Sequence, residues 1–367
     1  MKPYAPGEQP PPGKFIKLNT NENPYPPPPA VVEAIRSAAT GPLNRYPDPQ
    51  ATSFRRAAAE RLGLPGPDWI LAGNGSDEIL TILVRAFVGE GEALRLPHPS
   101  YILYRTLADI QGARWEQVDF DDAWQLPPAF AAPRDDLKLA LLPNPNSPSG
   151  TVLPSDRIAR IADSLTCPLV VDEAYVDFAT DDCLRLVQAN ERVLVTRTLS
   201  KSYGLAGLRF GFLVAQPNVI AELGKIKDSY NCDAISIAAA TAAMHSGPWL
   251  DDVVAKMNAT RVRLADGLQR LGFTVTPSHA NFVWCRHPAM VGDAASASHA
   301  DVYQFLKQNQ ILVRYMDFPP WGDGLRISVG TDDQIDACLL MIGRALESLS
   351  LPANTTASSS PSSAATA

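Results

Sequence analysis

Lys201 and Arg209 lie close together in the stretch R-T-L-S-K-S-Y-G-L-A-G-L-R-F-G, which holds residue types that can do chemistry. The stretch follows a short apolar run at residues 193–195 that is typical of a buried strand. A lysine amine can form a Schiff base with a carbonyl compound, and an arginine can bind phosphate through two hydrogen bonds. The pair indicates a site for a phosphorylated carbonyl compound, although a surface lysine and a salt-bridged arginine would show the same spacing.

A glycine-rich turn at residues 73–76 lies between a predicted strand at 69–72 and a predicted helix that runs to residue 88. Backbone N–H groups at such a helix start are a ready site for a phosphate, and they include that of Ser76. The acidic side chains of Asp77 and Glu78 complicate this prediction, because they already favour the positive end of the helix dipole. A plain N-terminal cap of the helix is the alternative interpretation.

Asp172 follows the apolar run at residues 168–171, so its carboxylate is expected to be buried and to need a cationic partner. A pyridinium nitrogen would serve, and the pairing would keep the ring protonated, so that the ring accepts electrons. Tyr175 could donate a hydrogen bond to an oxygen on such a ring, and Tyr101 could stack on its face. Simple packing in the core would account for both tyrosines as well.

Two arginines late in the chain are candidates for binding the anionic groups of a substrate. Arg326 lies in L-R-I-S-V-G, where Leu325, Ile327 and Val329 share one face of a predicted strand and Arg326 lies on the other. For Arg314, a surface ion pair explains the residue equally well.

The elements that must position these residues alternate between strand and helix along residues 69–214. This alternation predicts an α/β fold with a mostly parallel central sheet and helices on both faces. Ligands of such sheets bind at the carboxyl ends of the strands, and Ser76, Asn144, Asp172 and Lys201 each follow a predicted strand. We therefore expect these four residues to converge.

The chain divides into four expected parts. Residues 1–40 would be an N-terminal segment that joins the small domain, and residues 41–265 the large domain with the candidate site. Residues 266–350 would form a smaller α+β domain. Residues 351–367, rich in Ala, Ser and Thr, cannot build a core and are expected to be disordered.

The composition of the 367 residues, with 46% hydrophobic residues and a net charge of −7, is ordinary for a globular protein of about two domains. The negative charge argues against nucleic acid or a membrane surface as the main partner. We expect a cytoplasmic protein, because no signal peptide or membrane-spanning run is present and the five cysteines are scattered like free thiols. Five isolated histidines argue against a metal site.

A series of motifs runs in a fixed order from about residue 18 to residue 345. They are L-N-T-N-E-N-P, N-R-Y-P-D-P, G-N-G-S-D-E, P-S-Y, P-N-S-P-S-G, V-V-D-E-A-Y-V-D-F, R-T-L-S-K-S-Y-G-L-A-G-L-R-F-G and L-R-I-S-V-G-T. With them the chain resembles the fold-type I aminotransferases that depend on pyridoxal 5'-phosphate (PLP), and within that group the histidinol-phosphate aminotransferases. The resemblance implies a PLP-binding large domain and a homodimer. It also implies transamination of L-histidinol phosphate with 2-oxoglutarate, giving imidazole-acetol phosphate and glutamate in histidine biosynthesis.

The resemblance also implies a role for each candidate residue. Lys201 would hold the cofactor as a Schiff base, Asp172 would pair with its pyridine nitrogen, Tyr175 with its ring hydroxyl, and Tyr101 would stack on the ring. The cofactor phosphate would be bound by Ser76, Asp77, Thr198, Ser200 and Arg209, with Tyr46 reaching it from the partner subunit. The substrate would be bound by Arg326 at its α-carboxylate, by Arg314 at its phosphate, and by Asn23 in a loop at residues 21–25 that covers the pocket.

Ser147 departs from the family pattern. The family usually has N-N-P-T-G, and its second asparagine hydrogen-bonds the ring hydroxyl of the cofactor. This chain has N-S-P-S-G at residues 146–150, so Ser147 stands at that position. A serine side chain is shorter and is expected to reach the ring through water. We therefore expect Tyr175 to hold the ring hydroxyl.

Other functions compete with this prediction. An aminotransferase for aromatic amino acids and a PLP lyase that decarboxylates a phosphorylated amino acid share the fold and the cofactor, and both stay open. A non-catalytic PLP-binding regulator would usually carry a DNA-binding domain, for which the N-terminal segment is too short. A dinucleotide-binding oxidoreductase fits poorly, because Gly204, Gly207 and Gly211 do not form G-x-G-x-x-G and no acidic residue follows at suitable spacing.

Overall fold

The computed structural model describes residues 7–11, 13–292, 297–319 and 321–350. Its strands are β1 (Ile16–Lys17), β2 (Ile70–Gly73), β3 (Ala93–His98), β4 (Arg114–Asp119), β5 (Leu137–Pro143), β6 (Leu169–Asp172), β7 (Val193–Thr198), β8 (Gly211–Val214), β9 (Thr274–Val275), β10 (Phe282–Arg286), β11 (Ile311–Leu312), β12 (Arg314–Phe318) and β13 (Gly322–Ser328). Its α-helices are α1 (Pro29–Ala39), α2 (Thr52–Arg61), α3 (Ser76–Phe87), α4 (Leu103–Gln111), α5 (Ser155–Ser164), α6 (Leu184–Ala189), α7 (Pro217–Leu223), α8 (Ala234–Met244), α9 (Gly247–Arg270), α10 (His299–Gln308) and α11 (Asp332–Ser348).

A seven-stranded sheet with the order β2-β8-β7-β6-β5-β3-β4 forms the centre of the large part of the molecule. The neighbours from β7 to β4 are parallel, and β8 is antiparallel to both β7 and β2. The apolar runs of β6 and β7 are buried on both faces, because Val171 and Val195 belong to one hydrophobic cluster and Val170 and Leu194 to the other. The predicted α/β fold with a mostly parallel sheet is confirmed.

A four-stranded antiparallel sheet with the order β12-β13-β10-β9 forms the smaller part. Its apolar face packs with α10 and α11 through residues such as Val302 and Ile335. Leu325 and Ile327 of β13 point into this cluster, as their alternation predicted. Near the N-terminus, β1 pairs in parallel with β11, so residues 16–18 lie against this part of the chain.

Two segments differ from the sequence-based expectation. The apolar run at 311–314 predicts a single strand. The structure has two strands there, because the chain leaves its parallel pairing with β1 after Leu312 and enters antiparallel pairing with β13 at Arg314. Residues 218–271 read as a largely helical stretch, and the structure divides it into three helices. Asp233 caps α8 by accepting a hydrogen bond from the Ser236 N–H, and Pro248 opens α9, and both features start new helices.

The expected division of the chain at residues 40 and 265 stays a prediction. The tail at 351–367, which was expected to be disordered, lies outside the described residues.

Candidate active site

One cavity lies where β5, β6 and β7 end, at the edge of the sheet where the sequence predicted convergence. Its lining brings together most of the predicted site residues: Ser76, Asp77, Tyr101, Ser147, Asp172, Tyr175, Thr198, Ser200, Lys201, Arg209, Arg314 and Arg326. Their roles stay predictions at this point.

Three predicted residues in the described part of the chain do not line this cavity. Asn144, which was expected to converge with Ser76, Asp172 and Lys201, instead donates from Nδ2 to the carbonyl of Leu153 at 3.1 Å and accepts from the Leu153 N–H at 2.8 Å.

Tyr46 does not line this cavity, is 79% exposed and stacks on Tyr230 at 4.3 Å between ring centroids. Asn23 does not line the cavity either. Its Nδ2 donates to the carbonyl of Ser202, next to Lys201, at 2.7 Å.

One end of the cavity is rich in hydrogen-bond donors. The Gly75–Ser76 turn opens α3 there, and Thr198 and Ser200 lie opposite it with their hydroxyls 3.0 Å apart. The guanidinium of Arg209 lies over the turn: a Cβ on Gly75, whose φ is +85°, would come within 2.8 Å of Arg209 Nη2. Arg209 also has a left-handed backbone, with φ of 52°. Helix start, hydroxyls and guanidinium together suit an anion such as phosphate.

A carboxylate shares this end of the cavity. Arg209 Nη2 donates to Asp77 Oδ2 at 3.2 Å, and the Tyr101 hydroxyl donates to Asp77 Oδ1 at 3.1 Å. An arriving phosphate would therefore compete with Asp77 for the guanidinium.

Asp172 lies on the buried side of the cavity and is only 5% exposed. The Tyr104 hydroxyl donates to its Oδ2 at 2.7 Å, and the Thr196 hydroxyl donates to its Oδ1 at 3.0 Å. Burial raises the pKa of the Asp172 carboxyl above its ordinary value, and these two hydrogen bonds act in the opposite direction. A buried carboxylate facing a cavity is a strong site for a cationic nitrogen.

Lys201 lines the cavity from the segment after β7. Its Nζ lies 5.6 Å from the centroid of the Tyr175 ring and donates to the carbonyl of Thr20 at 3.4 Å. The amine is thus held between Tyr175 and the N-terminal segment.

Two further arginines line the cavity. Arg314 of β12 and Arg326 of β13 are direct partners in the antiparallel register. Arg326 Nη1 donates to Ser147 Oγ at 3.0 Å, and its Nη2 donates to the carbonyl of Asn19 at 3.0 Å. The family resemblance placed Ser147 beside the cofactor ring, whereas in the structure its hydroxyl contacts Arg326. Two like charges on neighbouring strands are unfavourable alone, so an anionic ligand between them would be stabilising.

Several residues that the motifs did not single out contact the site. Tyr104, Thr196, Asn21 and Ser328 are buried and hydrogen-bonded to Asp172, to Tyr175 or to each other. For Tyr104 and Ser328, the spacing from a predicted site residue in the sequence indicated that they would lie near the site. Tyr104 follows Tyr101 by one helical turn, and Ser328 follows Arg326 on the same face of a strand.

The described residues contain no group of three or more His, Cys, Asp or Glu side chains placed to hold a metal ion. Among the helices described, none combines the length and apolar character needed to cross a membrane.

The comparisons with known proteins agree with this geometry. The family model for aminotransferase class I and II matches residues 13–342. A histidinol-phosphate aminotransferase from Rhodopirellula baltica is 76% identical over 96% of this chain and 96% of its own length. A histidinol-phosphate aminotransferase 1 from Trichormus variabilis is 45% identical over 91% of this chain and 93% of its own.

A solved structure has the same fold. The histidinol-phosphate aminotransferase from Sinorhizobium meliloti, in complex with pyridoxal-5'-phosphate, superposes with a TM-score of 0.83 at 28% identity over 91% of each chain. The chain belongs to the class I and II aminotransferases and, among them, to the histidinol-phosphate aminotransferase family.

Proposed function

We propose that this chain binds PLP and transfers the amino group of L-histidinol phosphate to 2-oxoglutarate, as a step of histidine biosynthesis. The observation that carries the proposal is the set of groups that line one cavity: an anion site at Arg209, a buried carboxylate at Asp172, the Lys201 amine, and the arginines Arg314 and Arg326. The relatives named as histidinol-phosphate aminotransferases support the substrate. They do not favour the aromatic aminotransferase or the lyase.

The residues present fit PLP. Asp172 is a buried carboxylate that lines the cavity, and a protonated pyridine nitrogen would be a suitable cationic partner for it. At the start of α3, glycine at position 75 leaves room for the Arg209 guanidinium, which a Cβ would meet at 2.8 Å, so the guanidinium lies where a phosphate would also find the backbone N–H groups of the helix start. Ser76, Asp77, Thr198 and Ser200 would complete that phosphate site, and Tyr101 would stack on the ring.

When bound, PLP supplies an electron sink that stabilises negative charge on the substrate carbon that loses its proton. Lys201 would hold the cofactor covalently. Once the substrate amine replaces it, Nζ of Lys201 would be free to move the proton at that carbon. The hydroxyl of Tyr175 would donate to the ring oxygen, and the carboxylate of Asp172 would keep the ring nitrogen protonated.

The arginine pair would set the specificity for anionic substrates. Arg326, held by Ser147 and by the Asn19 carbonyl, would bind the α-carboxylate of glutamate through two hydrogen bonds. Arg314, opposite it in register, would bind the phosphate of histidinol phosphate. Asn23 would support the segment that covers the substrate through its bond to Ser202.

We propose a cytoplasmic homodimer. Tyr46 lies on the surface of its own subunit, beside the exposed Tyr230 and Leu43, so it would reach a cofactor phosphate only in a partner subunit. The cysteines in the described part of the chain are buried free thiols, which suits a reducing compartment.

A spectroscopic experiment tests the function. The PLP-loaded protein is mixed with L-histidinol phosphate and, separately, with L-phenylalanine, and the visible absorption of the lysine-bound cofactor is followed. We expect rapid loss of the band with histidinol phosphate and slow loss with phenylalanine. A faster reaction with phenylalanine would assign the chain to aromatic amino acids, and a band that responds to neither would refute transamination of both.

A further inference from the structure

Asn21 has a left-handed backbone at a buried position. Its φ is 56°, in the region that asparagine adopts more readily than most residues other than glycine, and it is 1% exposed. The smaller sheet holds it there: the Asn21 N–H donates to Ser328 Oγ, and the Asn21 carbonyl accepts from Asn281 Nδ2, both at 2.9 Å. The backbone of Asn21 is therefore fixed at both its N–H and its carbonyl.

The hydrogen bonds of Ser328 set the orientation of the Asn21 side chain. Ser328 Oγ accepts the N–H of Asn21 and donates its own hydrogen to Asn21 Oδ1 at 3.0 Å. The amide oxygen therefore faces Ser328, and Nδ2 faces the hydroxyl of Tyr175 at 2.9 Å. An amide NH₂ group only donates, so the Tyr175 oxygen is the acceptor in this contact.

The direction of the hydrogen bond from Asn21 determines the orientation of the O–H bond of Tyr175. Because its oxygen accepts from Asn21, its own hydrogen points away from Asn21. Tyr175 lines the cavity, and its ring lies beside Lys201. A hydroxyl that accepts one hydrogen bond becomes a stronger donor in the next, since bonds in a chain polarise one another.

We propose that Ser328 and Asn21 form a hydrogen-bond relay that turns the hydroxyl hydrogen of Tyr175 into the cavity. Both are positioning residues, which act on the cofactor through Tyr175. The inference rests on the proposed function, in which that hydroxyl donates to the ring oxygen of PLP. It gives the N-terminal segment a role beyond covering the pocket, because residue 21 determines the direction of a hydrogen bond at the cofactor.

The test uses the PLP-loaded protein without substrate and measures the pH midpoint of the visible absorption change of the lysine–cofactor linkage. The hydroxyl of Tyr175 stabilises the unprotonated form of this linkage, because the ring oxygen then carries negative charge. Tyr175→Phe should raise the midpoint by about one pH unit, the size expected for one hydrogen bond to a charged group. Asn21→Gly should raise it by about half a unit, since glycine keeps the left-handed backbone and removes the side-chain amide that donates to Tyr175.

Two further variants make the test specific. Ser328→Ala should shift the midpoint in the same direction by a smaller amount, because the amide loses its fixed orientation. Gln310→Gly is the matched control: Gln310 also has a left-handed φ, of 62°, but does not line the cavity, and its midpoint should equal that of the wild type.

The double variant Asn21→Gly/Tyr175→Phe decides whether Asn21 acts through Tyr175. The relay predicts that it has the midpoint of Tyr175→Phe alone. A full additional shift in the double variant would overturn the relay, as would an unchanged midpoint in Asn21→Gly, even with a lower melting temperature. If Tyr175→Phe itself leaves the midpoint unchanged, both the relay and the proposed role of Tyr175 are wrong. If Tyr175→Phe shifts the midpoint and Asn21→Gly does not, only the relay is wrong.

Discussion

At the scale of single residues, Lys201 is the side chain on which the proposed chemistry depends most. Its amine lies in the cavity rather than in the hydrophobic core, so removing it should cost chemistry and little stability. Lys201→Ala should abolish measurable transamination and leave the circular dichroism spectrum and the melting temperature close to those of the wild type. Lys256→Ala, on the exposed face of α9, should keep full turnover. Wild-type turnover in Lys201→Ala would remove this residue from its proposed role.

A second residue-scale prediction concerns Tyr104. Tyr104 is fully buried and donates to Asp172, and burial raises its pKa well above the ordinary value, so it stays a donor over the whole working pH range. Tyr104→Phe removes one of the hydrogen bonds that favour the ionised carboxylate, which weakens its pairing with the ring nitrogen. We expect PLP affinity to fall by about tenfold or more, from the usual energy of a hydrogen bond to a charged group.

Equilibrium binding of PLP measures this effect. The ¹⁵N chemical shift of PLP labelled at the ring nitrogen reports separately how far that nitrogen is protonated. Tyr303→Phe, on α10 and outside the cavity, serves as the control. Unchanged affinity together with an unchanged nitrogen shift would show that Tyr104 only fills space.

At the scale of elements, the turn that opens α3 makes a prediction about close packing. An alanine at Gly75 would place its Cβ 2.8 Å from Arg209 Nη2 and displace the guanidinium from the proposed phosphate site. Gly75→Ala should weaken PLP binding by about tenfold or more, because a charge-assisted bond is lost. It should also cost about 1–3 kcal/mol of stability, because φ of 85° with ψ of 162° is a backbone conformation that essentially only glycine adopts.

Gly63→Ala separates the two effects of that substitution. Gly63 has a similar φ of +63°, but a Cβ there would meet nothing within 4 Å. It should lose a similar amount of stability in urea unfolding and bind PLP like the wild type. Equal PLP affinity in both variants would contradict the assignment of this turn to the phosphate.

The elements also show what a sequence can predict. Apolar runs such as residues 168–171 predicted buried strands, and their alternation with helices predicted the sheet, because both signals are local. The contacts of Ser147 and Asn21 could not be predicted in this way. They depend on the register that places β13 beside the N-terminal segment and on side chains more than a hundred residues apart. The second strand in the expected run at 311–314 was missed for the same reason, since pairing partners define it.

At the scale of the whole molecule, the exposed position of Tyr46 predicts shared active sites. A mixture of Tyr46→Ala and Lys201→Ala subunits would form hybrid dimers in which one site has both native residues. If each variant alone is strongly impaired, dissociation and reassociation of an equal mixture should restore about one quarter of wild-type activity, as expected when half of the dimers are hybrids with one intact site.

Sedimentation velocity provides the control by showing that each variant is still a dimer. A mixture with no more activity than the mean of its two components would place Tyr46 outside the partner's site. A monomeric wild type would refute the dimer itself.

Product formation by the wild-type protein tests the central claim most directly. L-histidinol phosphate, 2-oxoglutarate and PLP are incubated with the enzyme, and the glutamate and the phosphorylated ketone that form are quantified. The same assay is run with L-histidinol, which lacks the phosphate, in place of L-histidinol phosphate. We predict equal amounts of the two products and a much lower kcat/KM for L-histidinol, because Arg314 has no phosphate to bind. Equal kcat/KM for the two amines, or no glutamate from either, would contradict it.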